Sequence, residues 1–271
     1  MTDNLTRALL AAALISSGAC TDGKDAATDS GGDSSGADSS VAEALYTING
    51  VAITFGPDQN PAAEGLCVEA VDPSGVLEGG EAEVVSQSTV GAGGAYTLTD
   101  VPRRDLPTVV VVRDCDGAAS TVYPTGSPVL AFDFQSITDG QVLDDVRSVS
   151  VSNATLDAFK TALALAGYTG DLPAEGFALG AVWTADQQPI SGAEILCGGC
   201  AVYYADADPS DGPFTTGGVK NTATSGPALW LIPAAPPVEY SLTAEGYTFP
   251  KVTFAAPPGG AFFGIVTGQP S

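Results

Sequence analysis

The stretch YTINGVAITF, residues 46–55, decides the fold. Apolar side chains alternate along it, with Tyr46 and Ile48 on one parity and Val51, Ile53 and Phe55 on the other. A period of two belongs to a half-buried β-strand and not to a helix. The parity changes at Asn49-Gly50, which predicts a β-bulge or a bend there, because one inserted residue exchanges the two faces of a strand. Working outward, further strands are predicted over 66–71, 82–87, 95–99 and 109–113, separated by Gly, Pro, Asp and Asn clusters that favour turns. Short strands at near-regular spacing predict an all-β sandwich.

Composition points the same way. With 33 Gly and 19 Pro among 271 residues, and Lys and Met scarce, strands and turns are favoured over helix. One helix is predicted, over SNATLDAFKTALALAGY at 152–168: Ser152 or Asn153 can cap it, Leu156, Phe159, Leu163 and Ala166 share a stripe, and Gly167 stops it. Its apolar stripe is expected to pack on a sandwich near a junction between two halves of the chain.

The first 20 residues, MTDNLTRALLAAALISSGAC, place Arg7 ahead of an apolar run over 8–15 that is too short to cross a bilayer and ends in small residues. This is the pattern of an export signal. The ending Ser17-Gly18-Ala19-Cys20 resembles the lipobox of bacterial lipoproteins, with Ser17 where leucine is usual. The resemblance implies cleavage before Cys20, lipidation of Cys20, and a mature protein held to a membrane of the cell envelope, the outer membrane or cell surface, by more than one acyl chain. An ordinary secretory signal with a soluble product is the alternative. Residues 21–43, rich in Ser, Gly and Asp, read as a self-repelling disordered tether.

Charge and the absence of one residue type exclude whole classes of function. Nine Lys+Arg against 32 Asp+Glu give a formal charge of −23, so nucleic acid and anionic lipid surfaces are repelled. There is no histidine. That removes Ser-His-Asp and Cys-His nucleophilic systems, His-containing zinc sites and the commonest general base near neutral pH. Carboxylate pairs at Asp114 and Asp116, or at Asp144 and Asp145, could serve a hydrolase in principle, but they read better as solvated turns. No catalytic residue is assigned, and the chain reads as a non-enzyme.

The second half repeats the first. PAAEGLCV at 61–68 matches PISGAEILC at 189–197, GAYTLTDVP at 94–102 matches GPALWLIP at 226–233, and TVVVVRDCDG at 108–117 matches VEYSLTAEGY at 238–247. Three blocks in one order imply a duplicated module. These blocks resemble carboxypeptidase regulatory-like, or transthyretin-like, β-sandwich domains, over about 46–122 and 177–266. In that family a glycine turn followed by a Tyr-x-Leu strand closes the sandwich, which matches Gly94, Tyr96, Leu98 and Pro102; the second copy matches at Pro189, Gly192, Ala193 and Ile195 but carries Trp230 in place of the tyrosine. The zinc ligands of the peptidases that give the family its name include histidines, so that activity does not carry over. The resulting division is a signal at 1–20, a linker at 21–43, a first sandwich at 44–150, a helical connector at 151–175 and a second sandwich at 176–271.

Four cysteines other than Cys20 remain. In an exported chain Cys67, Cys115, Cys197 and Cys200 read most simply as two disulfides, Cys67 with Cys115 and Cys197 with Cys200. Free buried thiols are the alternative for the first pair, and redox or metal chemistry for the second. Asp206, Asp208 and Asp211 gather three carboxylates before Gly212 and could hold calcium, although their spacing departs from an EF-hand and also suits an acidic turn. Tyr203, Tyr204, Trp230, Tyr240, Tyr247 and Phe249 could form a surface that stacks on a sugar or a partner protein, but aromatics in strands more often turn to a buried face, and Tyr203 and Tyr204 are the best candidates for an exposed exception. The function expected is scaffolding or recognition at the envelope, with an envelope protein or a glycan as partner. A carbohydrate- or calcium-dependent adhesin is the alternative, and a hydrolase the more distant one.

Overall fold

The computed structural model describes residues 44–56, 58–77, 82–104, 106–115, 121–129, 136–205, 224 and 228–271. The elements follow in the order β1 (Leu45–Thr54), β2 (Cys67–Asp72), α1 (Ser74–Leu77), β3 (Glu83–Thr89), β4 (Ala95–Pro102), β5 (Val109–Arg113), β6 (Val122–Tyr123), β7 (Thr125–Pro128) and β8 (Val142–Ser152). Then come α2 (Asn153–Leu165), α3 (Leu172–Glu175), β9 (Phe177–Thr184), β10 (Glu194–Leu196), β11 (Tyr203–Tyr204), β12 (Leu229–Pro233), β13 (Val238–Thr243), β14 (Tyr247–Thr248), β15 (Val252–Phe254) and β16 (Ala261–Pro270). The fold is all-β, two sandwiches with one substantial helix between them in sequence.

Both sandwiches are built on one plan. In the first, a sheet ordered β4-β1-β8 faces strands β2-β5-β7; in the second, β12-β9-β16 faces β10-β13-β15. The pairings match in sense as well as order: β1 with β4 and β9 with β12 are antiparallel, while β1 with β8 and β9 with β16 are parallel. Even isolated contacts recur, with Ile53 bridging Pro61 and Trp183 bridging Pro189. The backbone bond Ala62 N–H to Ala52 O, 2.9 Å, has its counterpart in Ile190 N–H to Val182 O, also 2.9 Å. The three sequence blocks therefore fall on equivalent strands, β2 and β10, β4 and β12, β5 and β13.

An aromatic ring over a glycine sits at the centre of each copy. Tyr96 on β4 is the register partner of Gly50, and Trp230 on β12 that of Gly180. A Cβ at Gly50 would meet the Tyr96 ring at 2.3 Å, and one at Gly180 would meet the Trp230 ring at 2.6 Å. Both glycines leave the room that a flat ring fills. Trp230 thus takes in the second copy the place that Tyr96 takes in the first, a larger ring at an equivalent position. Tyr96 additionally bonds Ser148 Oγ through its hydroxyl at 2.7 Å, and burial pushes its ionisation well up.

Gly50 also corrects the parity reading of β1. The ladder with β8 does shift between Ile48 and Gly50, but Tyr46, Ile48, Gly50 and Ala52 all point into the same core, so the faces do not exchange. Ile53, 7% exposed, and Phe55 are apolar because the opposite face is covered too, Phe55 packing with the helix cluster. A strand covered on both sides loses its clean alternation.

Helix α2 forms where its caps predict. Ser152 Oγ accepts from Thr155 N–H at 3.1 Å, and Gly167 with φ of +88° lies just past its end. Leu156, Phe159, Ala162 and Leu163 are buried against Phe177, Leu179, Leu231 and Tyr203. Phe159 meets Phe55 and Phe177 edge-on at 5.8 and 6.0 Å between ring centroids. The helix covers one face of β9 and β12, and the sheet β10-β13-β15 covers the other.

The two sandwiches share a sheet. Strand β7 of the first pairs in parallel with β16 of the second, Ala261 with Thr125 and Phe262 with Gly126. The continuous order is β11-β12-β9-β16-β7-β5-β2-β3.

Candidate functional site

The shared sheet creates a groove at the seam. Its floor is the outer face of β2, β5 and β7, where Val71, Val109, Val111 and Gly126 lie; Val110 and Val112, the alternate residues, point into the first core. Its wall is the inner end of the second sandwich, with Val252 and Phe254 from β15 and Phe262, Gly264 and Ile265 from β16. Pro73, Pro107, Pro124, Pro128 and Pro257 stand around it. The cavity measures about 180 Å³, more than the roughly 150 Å³ apolar cavity that takes a benzene ring.

The lining is chemically uniform. Among the described residues no ionisable side chain borders the cavity, and the polar side chains that do are Thr253 and the indole of Trp230. Trp230 is fully buried and its Nε1 has no hydrogen-bond partner. Gly126 keeps the floor open, since a Cβ there would lie 2.8 Å from Val109 Cγ1. Among the described residues close in sequence to the lining, Arg104 is paired with Asp72 at 3.6 Å, and Lys251 with Glu239 at 2.6 Å. Such a surface can desolvate an apolar group.

The residues singled out by sequence fall elsewhere. Tyr203 and Tyr204 are buried, 5% and 3% exposed, so they present no rings to solvent. Tyr203 packs edge-on to Tyr168, and the Tyr204 hydroxyl accepts from Ile195 N–H at 2.8 Å; burial raises the Tyr204 pKa, and this bond opposes the rise. Both are apolar by position because β11 is sandwiched between the helix cluster and the second core. Cys67 is bonded to Cys115, Cα atoms 4.9 Å apart, and Cys197 to Cys200, 5.7 Å apart. Asp114 accepts from Thr121 N–H, Thr121 Oγ1 and Val122 N–H. Asp144 and Asp145 lie not in a turn but within strand β8, where Asp144 accepts from Asn49 Nδ2 of the neighbouring β1 at 2.9 Å. Cys20, with residues 1–43, and Asp206, Asp208 and Asp211 lie outside the described residues. Among the described residues no group of three or more Cys, Asp or Glu is placed to hold a metal ion, and no helix is long and apolar enough to cross a membrane.

The groove was legible only as a fragment. Four valines in a row at 109–112 put apolar residues on both faces of one strand, which signals that both faces meet something apolar. What the outer face meets comes from residues 252–266, more than a hundred positions away.

No protein-family model matches the chain, and no curated protein matches it. Among solved structures it is similar to the shaft pilin SpaA of Lactobacillus rhamnosus GG, at 10% identity over 84% of this chain and 98% of that one, TM-score 0.24. It is similar also to a streptococcal ancillary pilin, at 12% identity over 83% of this chain and 69% of that one, TM-score 0.23. A third is GBS52, the minor pilin of Streptococcus agalactiae, at 9% identity over 83% of this chain and 96% of that one, TM-score 0.24. With TM-scores this low, the functional reading rests on the chain's own residues.

Proposed function

We propose that this is a non-catalytic recognition or scaffolding protein of the bacterial cell envelope, exported, tethered through a lipidated Cys20 and its acidic linker, and binding a partner at the seam between its two sandwiches. The observation that carries the reading is the groove itself: a cavity of about 180 Å³ bordered by valine, proline and phenylalanine, with no ionisable group among the described residues that line it. Binding is what such a lining can do. Two further features support the envelope: the export pattern of residues 1–20, and two cystines, which persist in oxidising compartments. The carboxypeptidase regulatory-like resemblance is supported by the repeated plan, in which Tyr96 and Trp230 take equivalent places. An envelope protein suits the groove better than a glycan does, since sugars need polar partners that the lining lacks.

Two measurements test it. Cys20→Ser should move the protein from the detergent-extracted membrane fraction to the soluble one; a variant that stays firmly membrane-bound defeats the lipid anchor. A neutral apolar dye, N-phenyl-1-naphthylamine, should brighten on binding the purified protein, and Val111→Lys, at the groove floor, should abolish this. No binding, or binding indifferent to Val111→Lys, defeats the groove as the recognition surface.

A further inference from the structure

The duplication makes each copy a control for the other at its central ring. In the first copy the ring over Gly50 carries a polar atom, the Tyr96 hydroxyl, which is satisfied by Ser148 Oγ at 2.7 Å. Ser148 comes from β8, two positions beyond Val146, the register partner of Gly50. In the second copy Trp230 lies over Gly180, whose partner on β16 is Gly264, and two positions beyond Gly264 stands Val266. Val266 pairs with Val182 as Ser148 pairs with Ala52, so the two positions are equivalent. A valine side chain offers no acceptor. The polar atom of the second ring, Trp230 Nε1, is accordingly buried without a hydrogen-bond partner among the described residues. A buried donor left in this state costs free energy that a single acceptor restores.

The space beside this donor belongs to the groove. Trp230, Gly264 and Val266 all border the cavity, and so do Phe254, stacked on the indole at 5.3 Å between centroids, and Phe262, stacked on Phe254 at 5.7 Å. We infer that the groove takes a small neutral molecule, about one substituted ring in size, whose single carbonyl oxygen accepts a hydrogen bond from Trp230 Nε1–H. The size follows from the cavity, about 180 Å³ against roughly 150 Å³ for one that takes benzene. Neutrality follows from the lining, where no ionisable side chain among the described residues could offset a desolvated charge. One oxygen follows from the donor count: Thr253, the other polar side chain at the cavity, is exposed, which leaves the indole as the one buried side-chain donor there. This goes beyond recognition of an envelope protein, and rests on that reading only in needing the groove to be open to apolar groups.

Acetophenone and ethylbenzene, of nearly one shape but with and without the carbonyl, are the probes. Each is titrated into the full mature protein labelled with 15N at its two tryptophans, and Trp183→Phe assigns the two indole signals. Acetophenone should move the Trp230 indole proton downfield and ethylbenzene should not. In Val266→Ser, which restores the acceptor of the first copy, that proton should already lie downfield without ligand and should no longer move; Val266→Ala should behave as the unaltered chain does. By displacement of the neutral dye, Trp230→Phe should lower the preference for acetophenone over ethylbenzene about fivefold. An indole proton that neither probe moves, or that both move equally, would overturn the inference, and so would an unchanged preference in Trp230→Phe. Either result with dye binding still lost in Val111→Lys would leave the recognition groove standing, whereas failure of the dye itself to bind would remove the groove.

Discussion

Replacing Cys67 and Cys115 together by alanine removes a crosslink between β2 and the chain just beyond β5, and its cost follows from the loop it closes. Cys67 lies opposite Arg113, and the bond joins residues separated by 48 positions. Loop-closure entropy for a ring of that size gives about 4 kcal/mol at 25 °C. The same relation applied to Cys197–Cys200, with a separation of 3, gives about 1.6 kcal/mol. The difference between the two double variants, about 2.5 kcal/mol, depends on loop length alone and not on the constant in the relation. Urea unfolding followed by far-UV circular dichroism measures both, and fluorescence of Trp183 and buried Trp230 reports the second sandwich separately. Equal costs for the two pairs, or less than about 1 kcal/mol for the first, would refute loop closure as the source of their stabilisation.

Other outcomes follow from single contacts. Gly180→Ala should lose about 3 kcal/mol or more by urea midpoint, because its Cβ would lie 1.8 Å from Gly264 O and 2.6 Å from the Trp230 ring, whereas Gly198→Ala, with nothing within 4 Å, should stay within about 0.5 kcal/mol. Ser152→Ala should cost about 1 kcal/mol, as Thr155 N–H loses its cap, with helical signal falling in step. Burial pushes the Tyr123 and Tyr240 hydroxyls up to about 12, with Asp171 adding to the effect on Tyr123. Unfolded tyrosines release their protons near 10. Stability contributed by these two groups is therefore complete below pH 10 and lost as pH rises from about 10 to about 12, on the order of 3 kcal/mol apiece. A urea midpoint that holds level through that window, or tyrosinate absorbance at 295 nm that titrates wholly near pH 10, would contradict the assignment.

Local pattern carried far in this chain. Strand 109–113 is predicted and observed with the same bounds, and α2 starts at the predicted cap, because turn residues and caps act over two or three positions and are written beside the elements they bound. The duplication was legible for the same reason: equivalent strands keep equivalent residues, down to an aromatic ring over a glycine. The sequence was misleading where a second neighbour intervened. Val51, Ile53 and Phe55 read as a change of face, when they are apolar because β1 is covered on both sides. Tyr203 and Tyr204 are by sequence the best candidates for an exposed exception among aromatics that suit buried strand faces, and they too are buried, because β11 lies between two cores.

The amino-acid sequence by itself determined that the chain is strand-rich, twice repeated, strongly acidic and without histidine, since period, turn chemistry, charge and residue inventory need no knowledge of neighbours. Only the tertiary structure decided that the two sandwiches share one sheet and that a groove opens at their seam. Those features depend on the meeting of β7 with β16, strands whose paired residues lie more than a hundred positions apart. Hydrogen-bond pairing across such a distance is set by packing of both modules together, which no local pattern records.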